Sequence, residues 1–181
     1  MKAKKNDCFL MKGSNITGPM TLYYVKYVNG DKIRALSVYV GKKMIQGLEH
    51  GFEYDNDVPD DAIFMSPKVY DQMKDEMVSF IEKINNFIQK NLIKGDINLM
   101  IGGHYYHGYI YTIKEIGEKR VKCDLFRLEE ENISPYWSAE NFIEDMKHYY
   151  PISEQTYQEV LRMYNDFVIE LRNKLLSNIL K

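Results

Sequence analysis

Two stretches of the chain place apolar residues at helical spacing. Tyr70, Met73, Met77, Phe80, Ile84 and Phe87 recur every three or four positions, and Ile81 and Ile88 widen the stripe. Tyr157, Val160, Tyr164, Phe167 and Leu171 repeat the rhythm, widened by Leu161, Val168 and Leu175. This spacing gathers apolar side chains on one face of a helix. Helices are therefore expected over about 67–93 and 154–179. Both have start signals. Ser66 and Ser153 can accept from an otherwise unpaired N–H of the first turn. Pro67 suits a first helical position, and Met65 with Tyr70 and Ile152 with Tyr157 have the spacing of hydrophobic staples.

Upstream of each helix the pattern changes to β-rich runs with turn residues. "MTLYYVKYV-NGD-KIRALSVYV" reads as a hairpin around Asn29-Gly30, and "YYHGYIYTIKEI-GEK-RVKCDLFRL" as a second hairpin turning at Gly117. Gly30 and Gly117 stand 87 residues apart, as do Ser66 and Ser153. The expected fold is thus α+β, with two structurally repeated modules over 1–94 and 95–181. Each module would be a small antiparallel sheet, SH3-like in its strand-and-turn rhythm, followed by a long amphipathic helix. Gly95 would end the first helix, and Ser138 to Lys147 would form a short one.

Composition adds limits. Net charge is −2, which disfavours broad electrostatic attraction to nucleic acid and leaves room only for a local basic patch. Cys8 and Cys123 form no CxxC, so a reducing compartment is the expectation. No readable signal peptide and no run of about 18 apolar residues appear, which leads to the expectation of a cytoplasmic protein. The 15 tyrosines suit half-buried sheets and contact surfaces.

The stretch "IGGHYYHGYIYT" (101–112) looks most like chemistry. As one strand over 104–113, entered by a bend at Gly102-Gly103, it would direct His104, Tyr106, Ile110 and Thr112 one way. Tyr105, His107, Tyr109, Tyr111 and Ile113 would point the other way. The two histidines would then lie on opposite faces and share no metal. The ladder Tyr105, His107, Tyr109 and Tyr111, with Tyr136 and Trp137 at its rim, is the candidate ligand surface. The leading expectation for this face is nevertheless core, packed under a helix or against a neighbouring strand.

Other motifs fall short. "DNDVPDD" lacks the Gly and Glu of a calcium loop. "GG" at 102–103 is no phosphate loop. Cys123 alternates with Val121 and Leu125, which is a core position for a thiol. With no catalytic constellation, metal set or cofactor fingerprint, no cofactor is expected. The leading expectation is a non-enzymatic binding protein that meets a protein partner through an aromatic and acidic surface. One alternative is a nucleotide or single-stranded nucleic-acid binder using the tyrosine-rich strand. Another is an enzyme with an unfamiliar site near His104 and His107. The width of the two stripes also raises the expectation of a homodimer.

Overall fold

A computed structural model describes residues 1–12, 19–41, 44–95, 103–129 and 132–179. The strands are β1 (Cys8–Lys12), β2 (Met20–Asn29), β3 (Lys32–Val40), β4 (Ile45–Asp55) and β5 (Ile63–Met65), followed by helix α1 (Lys68–Lys90). Then come β6 (Gly103–Tyr106), β7 (Tyr109–Ile116), β8 (Arg120–Glu129), β9 (Asn132–Phe142), a single 3₁₀ turn at Asp145–His148, β10 (Tyr150–Ile152) and helix α2 (Glu154–Ile179).

The expectation of two repeated sheet-plus-helix modules is overturned. Among the described residues the strands belong to one ten-stranded sheet in the order β10-β6-β7-β8-β9-β4-β3-β2-β1-β5. Nor do the described residues form an SH3-like barrel: their sheet is open, with β10 and β5 at its ends. Two separate small sheets would leave four edges with unpaired backbone groups, whereas one sheet leaves two. Periodicity reports which face of an element is apolar; it does not report which strands share a ladder.

The chain divides into two compact units. The first comprises Met1–Val78 and Phe167–Lys181, and the second Ser79–Asp166. In the first unit, Cys8 and Tyr24 face Tyr70 of α1. Its opposite face holds Ala3, Phe9, Val25, Ile33, Ala35 and Val58. The amino-terminal segment covers that face. Buried Asn56 accepts from the Ala3 N–H at 2.7 Å and donates to the Ala3 carbonyl at 3.2 Å.

In the second unit, Phe126 of β8 meets Tyr164 of α2 edge to face, and fully buried Ile110 is the β7 partner of Phe126. The opposite face packs Val121, Cys123 and Met146 with Tyr111, Ile113, Ile143 and Tyr149. Here the covering element is the segment around the 3₁₀ turn. The short helix expected from Ser138 does not form. β9 continues to Phe142, pairing Glu140 with Lys122 and Phe142 with Arg120, and Arg120 ion-pairs Glu140 at 3.0 Å. Cross-strand partners outweigh a weak helix start.

The long helices follow their apolar stripes. α2 is capped as the sequence implies, with the Thr156 N–H donating to Ser153 Oγ at 3.1 Å. α1 ends at Lys90 rather than 93, and Asn91 donates to the Phe87 carbonyl. Gly95 therefore does not cap it. Ile81, Ile88, Val168 and Leu175 are buried within the chain. Leu161, the fifth residue that widens the stripes, is half-buried. Among the described residues, no helix is long and apolar enough to cross a membrane.

Candidate functional site

The stretch at 104–113 is not one strand. Tyr106 pairs with Tyr109, which leaves His107-Gly108 as a two-residue hairpin loop. Both loop residues have positive φ, 44° at His107 and 82° at Gly108. That is the requirement of a type I′ turn, and glycine and histidine tolerate it better than most residues. The sequence HG thus hides a turn that NG would have announced.

The turn reverses the expected faces. Strand partners share a face, so His104, Tyr106, Tyr109 and Tyr111 lie on the side away from the helices. Tyr105 lies on the helix side and donates to Asn85 Oδ1 of α1 at 3.1 Å. Buried Tyr105 therefore leaves the ladder proposed for it, and Tyr106 takes its place. His104 is fully buried, while His107 stands exposed at the turn. Gly103 opens β6, and Gly102 lies outside the described residues. The side chain of Tyr136 also lies outside them. Trp137 lies in β9, 41 % exposed.

On this outer face the rings form a connected series. Tyr106 stacks on Tyr149 with centroids 4.7 Å apart, and Tyr149 meets Tyr111 at 4.9 Å. Tyr111 lies 6.3 Å from Tyr109. The Arg127 guanidinium sits 5.9 Å from the Tyr109 ring and 4.4 Å from the Trp137 ring. His107 meets Tyr106 edge to face at 4.2 Å. Burial pushes the hydroxyls of Tyr111 and Tyr149 above the usual tyrosine range, and the two hydroxyls share a hydrogen bond. These phenols stay neutral and serve as rings and hydrogen-bonding groups.

Beside this series, within the second unit, lies an open cleft of about 1330 Å³. Its wall includes Lys90 at the end of α1 and Lys94 after it, Tyr105, Tyr106 and His107 of the β6–β7 hairpin, and Lys147, His148, Tyr149 and Tyr150 of the covering segment. Among the described residues the lining has three lysines, two histidines, four tyrosines and no carboxylate. Lys147 approaches Glu144 at 3.7 Å, a loose exposed pair. Lys90 and Lys94 make no ion pair with a described residue. His107 is part of this wall and His104 is not. No group of three His, Cys, Asp or Glu among the described residues could hold a metal ion.

Sequence reasoning missed Tyr106, Lys90, Lys94, Lys147, His148, Tyr149 and Tyr150. A signal for some of them was present. The tripeptide HYY occurs at 104–106 and again at 148–150, and the register pairs Tyr105 with Tyr150. The thiols are unsuited to nucleophilic work. Burial pushes Cys8 up to about 12 and Cys123 up to about 11.

No family model, curated protein or solved structure matches this chain.

Proposed function

We propose that this chain is a non-enzymatic binding protein whose ligand carries phosphate and a planar ring, as a nucleotide or a single strand of nucleic acid does. The observation that carries this reading is the cleft's cationic and aromatic lining in a chain whose net charge is −2. Lysine ammonium groups attract phosphate as point charges, and tyrosine rings stack on bases of any sequence. Each base–ring stack is worth about 1–3 kcal/mol in proteins of this kind. The neutral, buried thiols and the fully buried His104 support binding rather than covalent catalysis.

The reading as a protein-docking surface has less support. Its acidic loop stays exposed, with Asp55 paired to Lys32 at the surface and Asp60 only loosely approaching the amino terminus at 3.7 Å, and none of its described residues lines the cleft.

Thermal unfolding at about 50 mM salt tests the proposal, with inorganic phosphate, a mononucleotide and an oligothymidylate as probes. A ligand at about 100 times its Kd stabilises by about 2.7 kcal/mol. Base-bearing phosphates should raise the Tm more than inorganic phosphate does, and the mononucleotide and oligomer arms separate the two ligand sources. No shift with either base-bearing probe refutes the reading.

A further inference from the structure

We infer that the ligand path leaves the cleft and crosses the outer face of the second unit to a second subsite formed by Tyr109, Arg127 and Trp137, so that the ligand is a single strand several nucleotides long. This rests on the cleft being a phosphate-and-base site. The independent observation is the continuity of the ring series. From the cleft wall, Tyr106 and Tyr149 lead to Tyr111 at 4.9 Å, then to Tyr109 at 6.3 Å. Arg127 follows, between Tyr109 and Trp137 at 5.9 and 4.4 Å.

Tyr106, Tyr109, Arg127 and Trp137 come from β6, β7, β8 and β9, four consecutive neighbours in the sheet. At about 4.8 Å per strand, the row spans about 14 Å. A mononucleotide held in the cleft would not reach its far end.

The chemistry of the far end suits a strand. The Arg127 guanidinium lies against the Trp137 ring and makes no ion pair with a described residue. A guanidinium held over an aromatic face keeps in-plane N–H donors that match phosphate oxygens. Trp137 is the largest ring in the row and is 41 % exposed, so it offers a stacking surface.

Trp137 is also the only tryptophan of the chain, so its emission reports this subsite alone. The experiment titrates the full chain with oligothymidylates from two to about twelve nucleotides, a span bracketing known single-strand site sizes. Binding is read by thermal shift and stacking by Trp137 quenching. The shortest oligomers should bind without quenching. Longer ones should bind at least about tenfold more tightly and quench, since one stack is worth a factor of that order. Arg127→Gln should remove the length-dependent gain while leaving the affinity for the shortest oligomer unchanged. Trp137→Phe, which keeps a ring, should retain most of that gain, and undiminished binding of the shortest oligomer verifies that each variant folds. Binding that is independent of length, with no quenching, overturns the second subsite and leaves the cleft standing. Absence of binding at every length overturns the cleft reading and this one with it.

Discussion

Tyr106 and Tyr149 stack with ring centroids 4.7 Å apart and planes 16° from parallel. One ring belongs to β6 and the other to the segment after the 3₁₀ turn, so this contact fastens the covering segment to the outer face of the sheet. The covering segment supplies cleft residues between Ile143 and Tyr150, among them Lys147 and His148. Tyr149→Ala removes the stack and the contact with Tyr111 together. It should lower stability by about 1–3 kcal/mol, less than a fully buried aromatic costs because Tyr149 is half-buried. Urea unfolding checks this, and an unchanged midpoint would mean that the segment is held by other contacts.

The turn at His107-Gly108 gives a sharper test of local structure. Asparagine tolerates positive φ, so His107→Asn should preserve the hairpin and the urea midpoint. Gly108→Ala should not. Its φ is +82°, and an added Cβ would lie 3.2 Å from the Leu128 carbonyl oxygen. A loss of about 1 kcal/mol or more is expected. Equal midpoints for both variants would rule out the type I′ geometry.

Gly103 is fixed by packing rather than by φ. A Cβ there would meet Ile110 Cγ2 at 2.9 Å and Ile152 Cγ1 at 3.2 Å. Gly103→Ala should destabilise by about 1–3 kcal/mol, the range for overpacking. Trimming Ile110 to Val in the same chain should recover part of that loss. Additive losses in the double variant would contradict this contact.

Buried thiols make stability depend on alkaline pH. Burial pushes Cys8 from 9.0 to about 12 and Cys123 from 9.0 to about 11. Above pH 9 the unfolded chain releases these protons while the native state retains them. The unfolded state then binds fewer protons, so stability falls as pH rises through that window. It is fully present below pH 9 and is lost as pH approaches the native values. Half-buried Tyr23, Tyr111, Tyr149 and Tyr157 act with the same sign. Cys8→Ala should therefore flatten the decline of the urea midpoint between pH 9 and 11. An identical decline would assign the effect to Cys123 and the tyrosines and remove Cys8 from it.

The elements that could be read from the sequence have their signal in adjacent residues. The stripes of α1 and α2, the Ser153 cap and the hairpins at Gly30 and Gly117 each depend on spacing within a few turns or strands. What could not be read depends on distant partners. The joining of strands into one sheet is set by edges that must be covered. The candidate site suffered from one local error and one non-local gap. Reading His107-Gly108 as strand misassigned Tyr105 and hid Tyr106, because a two-residue turn reverses which alternate residues share a face. Lys90, Lys94 and Tyr149 join the cleft only through the fold, and no short motif announces them.

The salt dependence of oligothymidylate binding tests the cleft most directly. For single strands, log K falls against log salt with a slope of about 0.7 per phosphate neutralised. Replacing both Lys90 and Lys94 with Gln should weaken binding and make that slope shallower by about 1.4. Fluorescence anisotropy of a labelled oligomer between about 50 and 200 mM salt measures both quantities. A weaker, less salt-sensitive complex is the expected result, and an unchanged slope in the double variant would contradict a phosphate-binding cleft.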